Sequence, residues 1–242
     1  MDILYGRNSV LEALRAGRPI RRVLVADGAH GLDNLVAEAR RRHIPFEMHD
    51  RRELDRRAGD HHQGVVAEAE PFTYGHLDDV LASAEERGEP PLLLTLDSLQ
   101  DPQNFGTLLR TAQAVGTHGV LIPEHRAVGV TPAVSNASAG AVEHLHVARV
   151  TNLARALGQL KSRGVWVYGL SVDAEAAYWD VDLSGPLALV VGSEGSGLGR
   201  LVREACDVLV RIPMADGAIQ SLNASVAGSL VLYDAFRQRR AH

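Results

Sequence analysis

Three short stretches hold residues whose types and spacing could do chemistry. In "DPQNFGTLLR", residues 101–110, Asn104, Gly106 and Arg110 enter a segment in which Phe105, Leu108, Leu109, Ala112 and Val115 mark the buried stripe of a helix. Arg110 follows Gly106 by four residues, so its side chain leans back over a position that has none and leaves room for a guest. A guanidinium is a planar, permanently charged fork of donors, suited to a phosphate or a developing oxyanion and poor at accepting a proton. In "LALVVGSEGSGLGR" a buried strand runs into Gly192, Ser193, Glu194, Gly195, Ser196 and Gly197. Glycines there let the backbone approach a ligand, and Glu194 is either an ionisable site residue or an acid complementing a helix N-terminus. In "RIPMADGAIQSLNASVAGSLVLYDAF" a helix opens near Ser221, Leu222 and Asn223, as capping alone explains. Capping does not explain Ala224, Ser225, Ala227, Gly228 and Ser229, whose small size means that something packs very close to this helix.

Other chemistries fit less well. A dinucleotide fingerprint started at Gly195 needs glycine where Arg200 stands, and no G-K-[ST] run makes a phosphate loop. His61 and His62 are adjacent and lack nearby partners, which favours an RNA contact or a turn over a metal, and no metal site is expected. Cys206 is the single cysteine and reads as a small buried apolar residue.

The elements that must position the three stretches fall into two parts. Residues 1–75 alternate helical and strand-like signals: "NSVLEALRAG", opening on a capping residue and closing at Gly17, then "IRRVLVADG", "LDNLVAEARRRH", "IPFEMH", "RRELDRRAG" and "GVVAEAEP". This is a small α/β domain. A polar helix closed by Gly88 and two prolines, residues 76–90, reads as the linker. In residues 91–242 the strands become continuously apolar ("LLLTLD", "GVLIP", "VWVYGL", "LALVVG", "VLVRIP") and alternate with helices, which indicates a parallel sheet covered on both faces. Ligands of such sheets bind beyond the carboxyl ends of the strands, where the three stretches lie.

Charge is unevenly spread. The chain has net charge −5, but residues 1–75 hold 12 arginines against 12 acidic residues, which leaves −5 for the remainder. No apolar run approaches the ~20 residues of a membrane span and the start lacks a signal-peptide layout, so a cytoplasmic protein with no membrane partner is expected.

Together the three stretches resemble the motifs of the SpoU family of RNA ribose 2′-O-methyltransferases, in the knotted SPOUT class. The first motif, Asn-x-Gly-x-x-x-Arg, is matched by Asn104, Gly106 and Arg110; the second by residues 191–198; the third by Ile212, Pro213, Met214 and residues 221–227. "YGRNSVLEAL" and "HHQG" look like the L30e-like RNA-binding domain of the branch that methylates a guanosine of 23S rRNA. The resemblance implies an α/β fold with a trefoil knot, S-adenosyl-L-methionine as cofactor, RNA as substrate and a homodimer that shares the RNA site. It implies catalytic roles for Arg110, Asn104, Glu194, Ser221 and Asn223, and donor contacts from Gly169, Leu170, Gly192, Ile212, Met214, Ser221 and Leu222. Arg110 would orient the neighbouring phosphate and stabilise the alkoxide. Many relatives have a lysine about where Asn136 stands, which puts that lysine's phosphate contact in doubt here and leaves Arg126 as the candidate to replace it. The alternatives are a tRNA 2′-O-methyltransferase and a noncatalytic RNA-binding protein.

Overall fold

A computed structural model of the chain describes residues 1–217 and 221–241, which group into two units. The first comprises residues 1–73 with 130–144, and the second residues 74–129 with 145–242.

The first unit is built on a four-stranded sheet, β1 (Asp2–Tyr5), β2 (Ile20–Ala26), β3 (Phe46–His49) and β4 (Val65–Ala69), in the order β1-β4-β2-β3. Only β2 and β3 pair in parallel. Alternation along β2 sends Val23 and Val25 to one core with Val10, Leu14 and Leu35, and Leu24 and Ala26 to another with Leu54. Helices α1 (Arg7–Ala16) and α2 (Asp33–Arg41) thus cover one face and α3 (Arg51–Ala58) the other. Helix α1 ends at Gly17 in the left-handed conformation, as expected, but Asn8 is not its cap. The helix starts at Arg7, whose N–H donates to Gln63 Oε1 at 3.2 Å, so a remote side chain does the work of a local one. The two histidines divide. His62 is fully buried, its Nε2 2.8 Å from Asp55 Oδ1 and its Nδ1 accepting the Gly64 N–H at 2.9 Å, whereas His61 is exposed. His62 therefore anchors a turn.

In the second unit, the stretch read as a linker forms α4 (Leu77–Arg87), whose Val80 and Leu81 are buried in that unit's core. There follow β5 (Leu92–Leu96), α5 (Pro102–Ala114) and β6 (Gly119–Pro123). Residues 130–144, with α6 (Pro132–Ala137), belong to the first unit, and the second resumes with β7 (Val147–Val150), α7 (Leu153–Ser162), β8 (Trp166–Leu170), β9 (Ala176–Ala177), β10 (Leu187–Val191), α8 (Arg200–Ala205), β11 (Val208–Arg211) and α9 (Ala224–Arg240). All seven strands pair in parallel, in the order β7-β6-β5-β10-β8-β11-β9. Both β5 and β10 are buried at every position, as their unbroken apolar sequences require. Their carboxyl ends lie side by side at the middle of the sheet, which brings the first and second stretches together. No helix among the described residues is long and apolar enough to cross a membrane.

Residues 130–144 join the first unit through polar contacts. Arg18, with 6% of its side chain exposed, reaches Glu143 Oε1 at 2.8 Å and Asp2 Oδ2 at 2.5 Å. Asn136 Nδ2 donates to the Tyr5 carbonyl at 3.1 Å and lies where a Cβ on Gly6 would be, 2.5 Å from that position. Asn136 thus closes the corner between β1 and α1.

Candidate active site

Helix α5 begins at Asp101, whose carboxylate accepts the N–H groups of Gln103 and Asn104, with Pro102 in the first turn. This fixed start places buried Asn104 at the carboxyl end of β5. After β10 the chain doubles back on itself: Ser193 and Gly197 exchange backbone hydrogen bonds of 3.1 and 3.0 Å. A Cβ on Gly192 would lie 2.3 Å from the Gly197 carbonyl carbon and oxygen, so only glycine permits this fold. Asp97 ties the loop down by accepting the Gly199 N–H at 2.7 Å.

The fold delivers Glu194 to two amides. Asn104 Nδ2 and Asn223 Nδ2 both donate to Glu194 Oε1, the latter at 2.8 Å. Asn223 is the cap of α9, its Oδ1 accepting from Ser225 N at 2.8 Å. Ser225 Oγ lies 2.9 Å from Asn104 Oδ1 and 2.6 Å from Asn223 Oδ1, and its single hydroxyl proton serves one of them at a time. Ser225 is thus a member of the cluster that sequence reasoning did not single out. Its signal was present: a serine two residues into a helix lies beside the cap side chain.

Beside the cluster opens a cavity of about 580 Å³. Leu170, Gly192, Glu194, Ile212, Met214, Ser221 and Leu222 line it, which gathers most of the expected donor-binding residues. At its rim Arg203 donates to Ser171 Oγ at 2.6 Å and pairs with Asp173 at 3.0 Å. The Ser171 hydroxyl, and then Arg203, hold the Asp173 carboxyl down at about 2. Ser171, Asp173 and Arg203 were not foreseen individually; they occupy the turn after β8 and the helix facing it.

Two expected residues lie elsewhere. Gly169 does not line the cavity: it is inside β8, where a Cβ would come within 2.7 Å of Cys206 Sγ and 2.8 Å of Leu198 Cδ1. Its smallness serves core packing. Arg110 is exposed on α5 and has no ion pair or hydrogen bond among the described residues. It stands six residues on from Asn104, about 9 Å along the axis and about a third of a turn around it, so it does not join the Glu194 cluster. The close neighbours of α9 are also protein: a Cβ on Gly228 would meet Leu108 Cδ2 at 2.7 Å and Val191 Cγ2 at 2.9 Å, and Thr111 Oγ1 lies 2.8 Å from Ser229 Oγ.

A parallel sheet with a cavity at its carboxyl edge and a polar cluster beside it, together with a small α/β unit, define a two-unit α/β protein with a small-molecule site. Residues 91–233 match the model of the SpoU rRNA Methylase family, and residues 3–75 that of RNA 2′-O ribose methyltransferase substrate binding. YacO of Bacillus subtilis, assigned to the TrmH family of tRNA/rRNA methyltransferases, is 47% identical over 240 residues, covering 98% of this chain and 96% of YacO. A TrmH-family relative from Staphylococcus aureus is 41% identical over 239 residues, covering 98% and 96%. The crystal structure of the SpoU methyltransferase AviRb from Streptomyces viridochromogenes with AdoMet superposes with a TM-score of 0.83 at 26% identity, over 99% of this chain and 91% of AviRb. An AdoMet-bound rRNA methyltransferase from Sinorhizobium meliloti gives 0.76 at 25% identity, over 98% and 87%. The chain belongs to the SpoU family of RNA methyltransferases.

Proposed function

We propose that the chain transfers a methyl group from S-adenosylmethionine to a ribose 2′-hydroxyl of RNA, with a guanosine of 23S rRNA as the target. The observation that carries this reading is the convergence of Asn104 and Asn223 on Glu194 beside the cavity, with Ser225 bracing both amides. The cavity suits the donor. Its volume lies within the ~300–1,000 Å³ of small-molecule sites. An apolar wall of Leu170, Ile212, Met214 and Leu222 fits a purine nucleoside, and the charged rim of Asp173 and Arg203 fits an amino-acid tail.

The bound donor supplies an electrophilic methyl on sulfur: the S–C bond breaks with its electron pair going to sulfur as the O–C bond forms. The chain must orient the ribose, stabilise charge on its oxygen and remove its proton. Glu194 is the ionisable member of the cluster. With Oε1 engaged by two amides and Oε2 without a hydrogen bond among the described residues, it has a free oxygen to accept the proton. Asn104 and Asn223 hold that carboxylate in place. Arg110 clamps the adjacent phosphate and offsets the alkoxide charge.

Arg110 reaches a reacting ribose in a homodimer, where it serves the partner's cavity. Supporting this, Val226, Leu230 and Tyr233 are 46%, 41% and 52% exposed at helical spacing on α9, the helix against which α5 packs. We further propose that the segment from β10 to α9 ties the trefoil knot; the order β5-β10-β8-β11, with β10 and β11 flanking the earlier β8, supports it. Mapping 2′-O-methylation in RNA from cells lacking the protein tests the reading. One 23S rRNA guanosine should lose its methyl group. Loss from a tRNA would reassign the substrate, and no loss together with no donor binding by calorimetry would leave a noncatalytic RNA-binding protein.

A further inference from the structure

We propose that the second unit carries a separate phosphodiester-binding cleft, at the amino ends of α4 and α7, that grips the substrate RNA away from the methylated ribose. The proposal rests on the reading of the chain as an RNA methyltransferase and adds a binding site to it. The cleft has a volume of about 430 Å³, and Arg149, Arg155 and Arg163 line it against one carboxylate, Asp78. Asn152, Thr151, Gln159 and His76 add uncharged polar groups. Three arginines around a concave surface match the forked, anionic geometry of a phosphodiester.

Each arginine is in a different state. Arg149 is already positioned: its guanidinium sits 3.8 Å from the centroid of the Tyr74 ring and donates to Tyr74 Oη at 3.0 Å. A Cβ on Gly129 would come within 2.5 Å of Arg149 Nη2, so this glycine leaves room for the guanidinium. Arg163 is held by Asp78 at 2.6 Å. The Arg155 side chain is exposed and has no partner among the described residues. Its backbone N–H is spoken for by Asn152 Oδ1 at 2.9 Å, while the N–H groups of Leu153 and Ala154, in the same first turn, have no intrahelical acceptor. The positive end of the α7 dipole thus faces the cleft together with the arginines.

Position in the sheet connects the cleft to the reaction. Val150 ends β7, and the Glu124 N–H donates to its carbonyl at 3.0 Å, so the cleft lies at the carboxyl edge of the sheet. Glu194 follows the carboxyl end of β10 on the same edge, and the order β7-β6-β5-β10 separates the two by three strand spacings. At ~4.8 Å per strand this is about 14 Å, within reach of a short stretch of one RNA strand. A strand with its ribose at Glu194 therefore passes the cleft.

The test is fluorescence anisotropy with a fluorescein-labelled single-stranded RNA oligonucleotide of mixed sequence, titrated across salt concentrations. In the Arg149→Gln/Arg155→Gln double variant, loss of two phosphate contacts should lower the log–log salt slope by about 1.4, at ~0.7 per contact for single strands, and raise Kd on the order of tenfold. Donor affinity by calorimetry should not change. Arg155→Gln alone, which has no side-chain partner to lose, should give about half that slope change, and the Lys substitutions should keep most of the slope. Asp78→Asn should tighten RNA binding, a sign that a structural role would not produce. An unchanged Kd and slope in the double variant would overturn the proposal, as would weakening without a slope change. Binding of poly-glutamate as tight as RNA, with the same losses, would assign the cleft to an acidic protein instead. Binding is read without turnover, so RNA held by this cleft but never methylated would contradict the proposed reaction and leave the cleft standing.

Discussion

The two units put polar side chains to different uses. In the first, Arg15, Arg18, Arg22, Arg41, Arg42 and Arg57 all pair with carboxylates, and one network runs from Glu47 through Arg22, Glu68 and Arg57 to Glu53 and His49. Half of the 12 arginines of residues 1–75 are therefore occupied, and Arg21, Arg40, Arg51, Arg52 and Arg56 remain exposed without an ion pair among the described residues. In the second unit, which also has pairs such as Arg163–Asp78 and Arg203–Asp173, two asparagines donate to one carboxylate, a serine bonds both asparagines, and glycines let backbone fold onto backbone. A charge count does not distinguish the two uses; the partners do.

If that contrast holds, substitutions at the cavity of the second unit should impair binding and turnover with little loss of stability, and those in the paired arginines of the first should do the reverse. The largest effect is expected from Gly192→Ala. The new Cβ forces residues 193–198 to shift, so calorimetry should show donor binding weakened or lost, and a displacement of about 1 Å should slow single-turnover transfer on the order of 100-fold. Unchanged donor affinity would detach this loop from the donor site.

Next comes Arg18→Ala. The Arg18–Glu143 pair is 6% and 3% exposed, and removing one member strands the other, which typically costs about 3–5 kcal/mol. Urea unfolding should show this loss in the first unit while donor affinity stays at the wild-type value. A loss of donor binding would break the division between the units.

Gly228→Ala is smaller. The added methyl crowds Leu108 and Val191, an overpacking cost of about 1–3 kcal/mol, set against the ~1 kcal/mol that alanine gains over glycine in a helix. A net destabilisation of up to about 2 kcal/mol should appear in thermal unfolding, and a stabilised variant would contradict the tight α5–α9 contact.

The smallest effect is in pH. Burial raises the Glu143 carboxyl above its ordinary 4.5, with Arg18 opposing the rise. The folded state then holds this proton more tightly than the unfolded one, so the contribution to stability is fully present below 4.5 and is lost as pH rises through the folded value. Comparing the urea midpoints of wild type and Glu143→Gln from acid to neutral pH isolates it. The wild type should lose stability relative to the variant as pH rises, and a relative gain would reverse the assignment.

Sequence periodicity and punctuation revealed the parallel sheet, the helix opening at Asn223 and the three stretches, because each is local or sits on a regular repeat. Asn104, Glu194 and Asn223 could be named from their motifs, but their convergence on one oxygen depends on β5 and β10 being neighbours, which no local pattern states. The transfer of residues 130–144 to the first unit was hidden for the same reason: Arg18 and Glu143 are 125 residues apart. The cap of α1 was misread because Gln63, rather than Asn8, satisfies its first N–H. Small residues were legible as close packing but not as to what packs: Gly228 makes space for Leu108 and Val191, and Gly169 for Cys206.

The central claim is that donor and acceptor are handled by different groups, the cavity holding the donor and Arg110 with the Glu194 cluster acting on the ribose. Single-turnover methyl transfer to rRNA by Arg110→Ala, with donor binding followed separately by calorimetry, tests it most directly. Loss of one preorganised charge contact should lower the transfer rate on the order of 10² to 10³-fold, while an exposed side chain should leave stability within about 0.5 kcal/mol. Donor affinity should be unchanged, and Arg110→Lys should remain impaired because an ammonium restores charge without the planar fork. Transfer at the wild-type rate by Arg110→Ala would contradict the account.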